Sequence, residues 1–206
     1  MSFYSIAEFI KEYYPEYWGY VEYDAESCAI IRKVQDEWGI FCNFAKTPLK
    51  VNGHTFNSSE ELFQLMKFKD PAVLKNIMAG ITANDKKSDQ VKMTAKSYEK
   101  KYRREDWGQM VIDAMKFCLQ TKYDQCEEFR SKLIESSGYN IVEDQSSFTK
   151  SNPDAWAVKL KDGKFVGPNL LGRLLMELRD NGCLEYNLPD DALDFIEELP
   201  KKSNES

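Results

Sequence analysis

The stretch Asn169-Leu-Leu-Gly-Arg-Leu-Leu-Met-Glu-Leu-Arg179 decides the architecture. Leu170, Leu171, Leu174, Leu175 and Leu178 recur at the three- and four-residue intervals of one helical face, so this segment is a helix that lays a leucine stripe on a core. Gly172 stands inside it, where glycine costs roughly 1 kcal/mol relative to alanine, which predicts that another backbone passes close by. Gly167-Pro168-Asn169 leads into the helix and is expected to leave its first amides open to a phosphate or ribose oxygen. Gly182 follows Asn181 as a stop signal.

Helical periodicity also dominates upstream. It predicts helices over Ile6 to Tyr14, Ser59 to Lys69, Pro71 to Met78 with Gly80 beyond, Asp85 to Tyr98, Asp106 to Gln120, and Asp124 to Ser136 with Gly138 beyond. Cys28-Ala-Ile-Ile-Arg-Lys-Val34 reads as a strand, and two short strands flank the Asn52-Gly53 turn. A further small hairpin is expected around Asp162-Gly163. The reading is one helix-rich α+β domain with a small β-sheet. Residues 36–182 form its body, 1–35 supply a helix and strand packed on it, and 183–206 an acidic tail. Within that tail, Leu188 to Leu199 is expected to be a short acidic amphipathic helix.

The chain has 206 residues, with 28 Lys+Arg against 34 Asp+Glu, and 42% hydrophobic residues beside 30% charged. That apolar content supports a sizeable core, and no apolar run approaches the roughly 20 residues of a membrane span. Met1-Ser-Phe-Tyr-Ser-Ile lacks a basic stretch followed by an apolar one, so a cytoplasmic address and no membrane partner are expected. One histidine excludes HExxH proteases, multi-histidine zinc sites and two-histidine iron centres. His54 itself reads as a polar residue leaving the Asn52-Gly53 hairpin. The five cysteines are odd in number and contain no CxxC pair, so reduced thiols are expected. No cofactor and no metal are called for. The net charge of −6 hides a cationic stretch, Lys86 to Arg104, with eight bases against Asp89 and Glu99. It is either a solvated helical face or a phosphate-facing wall.

In Ser58-Ser-Glu-Glu-Leu-Phe-Gln-Leu-Met-Lys-Phe68, Ser58 and Glu61 have capping-box spacing, and Glu60, Phe63, Gln64 and Lys67 share one face. That face carries an acid, an amide, a base and a ring; pattern alone turns it to water. Glu60 falls in the first turn, where the helix dipole favours a carboxylate over a general acid.

Together these segments resemble the NADAR, or YbiA-like, family of N-glycosidases. The resemblance runs in order from about Asp36 to Gly182: Trp38-Gly-Ile-Phe-Cys-Asn-Phe44; Ser59-Glu60 with Gln64 and Lys67-Phe68; Trp107 after the basic stretch; Met115; Asp154 with Trp156; and the leucine helix. It implies a YbiA-like fold and metal-free cleavage of the bond between a (phospho)ribosyl or ADP-ribosyl group and a base-like amine. Glu60 would be the catalytic carboxylate. Trp107 and Trp156 would line the pocket with Phe44, Lys67, Arg103 and Arg104 would hold phosphate, and Asn43 and Gln64 would bond ribose hydroxyls or base edges. Asp154 and Asn169 complete the expected substrate-binding set. Trp107 also continues the apolar stripe Met110, Val111, Ala114, Met115 and Cys118, which fits a core tryptophan equally well.

Three departures stand out. Glu61 occupies the place of a family histidine, Asp154 stands two residues rather than three before its tryptophan, and Trp156-Ala-Val-Lys replaces a glycine-rich loop. The expected substrate is a small phosphorylated ribosylamino-pyrimidine, an early riboflavin intermediate. The alternatives are ADP-ribose on a guanine of nucleic acid, a silent ADP-ribose-binding module, or a helical interaction protein working through its tail. A single dense cationic stretch is thin for tracking a duplex, which favours the small substrate.

Overall fold

The computed structural model describes residues 6–83, 90–150 and 152–199. Its helices are α1 (Ile6–Tyr13), α2 (Ser59–Leu65), α3 (Pro71–Ala83), α4 (Gln90–Tyr102), α5 (Trp107–Gln125), α6 (Glu127–Glu135) and α7 (Leu170–Asn181). Its strands are β1 (Val21–Asp24), β2 (Cys28–Ile31), β3 (Leu49–Val51), β4 (His54–Phe56), β5 (Asn140–Glu143), β6 (Lys159–Lys161) and β7 (Lys164–Gly167). The α+β, helix-rich reading holds, but the strands form three small sheets. These are an antiparallel β1-β7-β6, a parallel β2-β5 pair and the β3-β4 hairpin.

Helix α5 is the axis of the core. Trp107, Met110, Val111, Ala114, Met115 and Cys118, the stripe read from the sequence, are all buried along it. The leucine stripe of α7 is also fully buried. That helix packs on β5 so closely that a Cβ at Gly172 would stand 2.0 Å from the Ile141 carbonyl oxygen. Asn169 adopts a left-handed backbone at φ 52°. It donates from Nδ2 to the Ile141 carbonyl at 2.9 Å and accepts the Glu143 amide on Oδ1 at 3.3 Å. The edge of β5 not paired with β2 is thus met by the Asn169 side chain, by the close approach at Gly172 and by the Val158 amide, which donates to the Glu143 carbonyl.

Both hairpins stand where their turn residues put them. Asn52 and Gly53 have φ of 46° and 78°, and Asp162 and Gly163 have 50° and 80°, the two positive values that two-residue hairpin loops require. Strands β1 and β5 carry no such signal. Each is four residues long, and β5 has two adjacent buried residues instead of alternation.

Some boundaries differ from expectation for visible reasons. Gly80 lies inside α3, where a Cβ would meet Thr94 Oγ1 at 3.1 Å, so it serves the α3-α4 approach and not a helix stop. Helix α2 ends at Leu65, because Phe68 leaves it to form an antiparallel bridge with Arg103. The tail contains a short 3-10 turn, Asp194–Glu198, in place of the expected amphipathic helix. Phe195, Ile196 and Leu199 are buried there, with Phe195 against Phe56 at 6.2 Å. The expected helix start at Asp85, with Lys86, Lys87 and Asp89, lies outside the described residues.

Gly172→Ala is expected to destabilise the protein by about 1–3 kcal/mol, the scale of overpacking, despite alanine's better helix propensity. Equilibrium urea denaturation measures this; a neutral or stabilising result would mean that the α7-β5 contact yields freely.

Candidate active site

Helix α2 is buried on every side. Ser58 caps it by accepting the Glu61 amide at 3.2 Å. The Glu61 carboxylate reaches one residue further back than a capping box does, to the Asn57 amide at 3.1 Å and Asn57 Nδ2 at 2.7 Å. The polar stripe expected in water is inside the protein: Glu60 is 5% exposed, Gln64 2% and Lys67 5%. The reason is the segment 39–44, which folds across the helix start. Asn43 accepts the Glu60 amide at 2.9 Å on its carbonyl, and its Oδ1 accepts the Ser59 hydroxyl at 3.1 Å. Behind this strap, the fully buried Lys122 of α5 donates to the carbonyls of Ile40 at 2.6 Å and Cys42 at 3.2 Å. Burial pushes its ammonium down to about 8.

Glu60 faces a cavity of about 560 Å³. Gln64 Nε2 donates to its Oε1 at 2.8 Å, which fixes the carboxylate against the helix. Gln64 Oε1 is buried without a partner among the described residues. Phe44, Phe63 and Trp156 supply an aromatic wall, with Trp156 edge-on to Phe63 at 5.7 Å.

Four lysines line the same space: Lys67, Lys92, Lys96 and Lys150. Lys67 is paired with Glu99 Oε1 at 2.5 Å and lies 5.6 Å from the Phe63 ring; burial pushes its ammonium down. For Lys92 burial acts in the same direction, but the fields of Glu60, Asp154 and Glu143 outweigh it and hold the ammonium above its usual value. Glu143 comes from the end of β5. Burial, then the neighbouring Asp154 charge, push its carboxyl up to about 8, against the pull of Lys92.

The structure therefore brings together Asn43, Phe44, Glu60, Gln64, Lys67, Asp154 and Trp156. It separates the other four candidates from them. Trp107 is 1% exposed and stands behind Phe63 at 5.2 Å, a core tryptophan that supports the cavity wall. Arg104 is turned to the tail, bidentate on Asp106 at 2.6 and 2.7 Å and bonded to Asp191 at 2.7 Å. Arg103 lies over the Phe9 ring at 5.1 Å and is not among the lining residues. Asn169 is fully buried and serves β5. The expected free amides after it are taken: Asn169, Leu170 and Leu171 donate to the carbonyls of Ala157, Ala155 and Trp156. Of the charged lining residues, Glu143 and Lys150 were not named from the sequence, and Lys92, Lys96 and Glu99 only as members of the cationic stretch. Lys92 was visible only as one of eight bases, and Glu143 only as the last residue of an unread strand. Among the described residues no group of His, Cys, Asp and Glu gathers to hold a metal ion, and no helix is long and apolar enough to cross a membrane.

Comparison with known proteins matches the NADAR domain family model to residues 30–181. N-glycosidase YbiA of Escherichia coli K12 is 32% identical over 153 residues, covering 73% of this chain and 85% of the relative. N-glycosidase YbiA of Shigella flexneri is likewise 32% identical over 150 residues. A riboflavin biosynthesis protein of Vibrio vulnificus is 26% identical over 159 residues, 77% of this chain but 39% of that longer protein. The NMR structure of Escherichia coli YbiA superposes with a TM-score of 0.51 at 25% identity, covering 89% of this chain and 97% of the other.

Glu143 makes stability depend on pH. Its carboxyl binds a proton more tightly in the folded chain, at about 8, than at the ordinary 4.5 of an exposed glutamate. The stabilising contribution is complete below the lower value and is lost as pH rises to about 8. Glu143→Gln, which stays neutral, is expected to gain melting temperature relative to wild type between pH 5.5 and pH 8. A constant difference across that window would show that the carboxyl titrates normally.

Proposed function

We propose that this chain, which belongs to the NADAR domain family of N-glycosidases, hydrolyses the bond between a phosphorylated ribosyl carbon and a base-like amine. The observation that carries the reading is Glu60, a carboxylate fixed by Gln64 at the start of a buried helix and lining a cavity of about 560 Å³. Cleaving a ribosyl C–N bond builds positive charge on the sugar, and a preorganised carboxylate beside C1′ stabilises that charge and aligns the attacking water. Gln64 Oε1 suits a ribose hydroxyl, Phe44 and Trp156 suit the flat leaving group, and Lys92, Lys96 and Lys150 suit phosphate. About 560 Å³ accommodates a small nucleotide-like molecule. A phosphoribosylamino-pyrimidine is therefore the preferred substrate class, in keeping with the riboflavin biosynthesis name of one relative.

One observation favours the second reading, removal of ADP-ribose from guanine in nucleic acid. Lys92 and Lys96 at the cavity and the exposed Lys100 beyond it follow at four-residue spacing along α4, so this row leads away from the cavity. It is long enough for a short single-stranded segment.

Glu60→Gln is expected to preserve folding and ligand affinity while lowering turnover at least about a hundredfold, the scale of losing one electrostatic transition-state contact. Near wild-type release of sugar phosphate would remove Glu60 from the chemistry. A chelator is expected to leave the rate unchanged.

Offered together at equal concentration, a phosphoribosylamino-pyrimidine is expected to be cleaved in preference to an oligonucleotide bearing ADP-ribosyl-guanine. Repair of the oligonucleotide alone would reverse the substrate order while keeping the glycosidase.

A further inference from the structure

We propose that Glu143 is the general acid of this site, delivering a proton to the departing nitrogen while Glu60 stabilises the sugar cation. The inference rests on the N-glycosidase reading and adds the group that the reading lacks, since an amine or amide nitrogen leaves poorly as an anion.

Four carboxyls line the cavity: Glu60, Glu99, Glu143 and Asp154. Three accept hydrogen bonds from neighbouring side chains or amides. Gln64 Nε2 bonds Glu60 at 2.8 Å, Lys67 Nζ bonds Glu99 at 2.5 Å, and Asp154 accepts Gln145 Nε2 at 2.8 Å and the Trp156 amide at 3.0 Å. Among the described residues no hydrogen bond reaches the Glu143 carboxyl. Its main chain, by contrast, is fixed on both sides. The amide donates to Asn169 Oδ1 at 3.3 Å, and the carbonyl accepts the Val158 amide at 2.8 Å. A rooted side chain whose carboxyl has no protein donor keeps its own proton and has it to give.

The charges around it act in the same sense. Asp154 from the loop before β6 and Glu60 from α2 oppose its ionisation, and Lys92 from α4 favours it without overcoming burial. Cys42, also in the lining, is pushed up to about 11 and is too weak an acid for the task near neutrality. Glu60 from α2 and Glu143 from β5 reach one cavity from different elements, so the cation-stabilising and proton-donating roles fall to separately anchored side chains.

The step balances as follows. The C1′–N bond breaks with its electron pair going to nitrogen, and the Glu143 proton moves to that nitrogen. Water then adds to C1′ and gives a proton to the Glu143 carboxylate. One water is consumed, one sugar hydroxyl and one N–H are formed, and the acid is restored.

The test uses full-length wild type and Glu143→Gln on a series of ribosylamine phosphates whose leaving nitrogens differ in acidity, with kcat and KM followed from pH 6 to pH 10. Wild-type kcat/KM is expected to fall above about pH 8, where Glu143 loses its proton. The variant is expected to lose about a hundredfold or more in kcat on the poorest leaving group, the usual scale of general acid catalysis. Its KM stays within a few-fold, its rate rises steeply as the leaving group becomes more acidic, and its fall above pH 8 disappears. Glutamine matches the neutral carboxyl in size, and its melting curve reports folding independently. A variant that keeps the wild-type rate, or keeps the basic limb with an equal loss on every leaving group, overturns the assignment while the glycosidase stands. A wild type that cleaves neither the series nor an oligonucleotide bearing ADP-ribosyl-guanine overturns the glycosidase reading, and Glu143's role with it.

Discussion

A seven-residue helix with two glutamates and a glutamine has been placed where every one of its residues is buried. Buried charges and amides are costly unless each finds a partner. Much of the surrounding architecture supplies those partners. Asn57 and Ser58 satisfy Glu61 and the helix start, Asn43 takes the Glu60 amide, Glu99 pairs with Lys67, and Lys122 pins the strap that carries Asn43. Among the described residues Gln64 Oε1 is left without a protein partner.

The same constraint explains what the sequence disclosed. Periodicity is a statement about neighbours along one element, so the leucine face of α7, the apolar stripe of α5 and the two positive-φ hairpin turns could be read directly. Gly172 announced a close backbone approach, and the Ile141 carbonyl is what approaches. The polar stripe of α2 misled, because the pattern Glu60, Gln64, Lys67 is identical whether water or a folded strap covers it. Residues 39–44 decide the matter, and they carry no helical or strand period.

The separation of true lining residues from near neighbours follows a similar logic. Arg104 and Lys67 both stand on the expected basic side, yet Arg104 meets Asp106 and an acid, Asp191, contributed by the tail. No local pattern reveals that pairing. Asn169 and Trp107 are indispensable neighbours of the site whose side chains face away from it, one into β5 and one into the core. Glu143 is the converse, a charged residue ending a strand too short to read, brought to the cavity by the parallel pairing of β2 with β5.

The charge balance of the cavity ties binding to chemistry. With Lys67 and Glu99 neutralising one another, Lys92, Lys96 and Lys150 face Glu60, Asp154 and Glu143. Were all three carboxyls ionised, the remaining charges would cancel and an anion would gain little by entering. With Glu143 protonated the balance turns positive, which attracts phosphate. A bound phosphate then acts on Glu143 as Asp154 already does, opposing its ionisation further. On the proposed mechanism the proton is held most firmly when substrate is present and passes to the nitrogen as the glycosidic bond breaks. On that mechanism substrate charge, acid strength and the sugar cation beside Glu60 are parts of one electrostatic arrangement, in which Lys92 is the lysine that acts on Glu143.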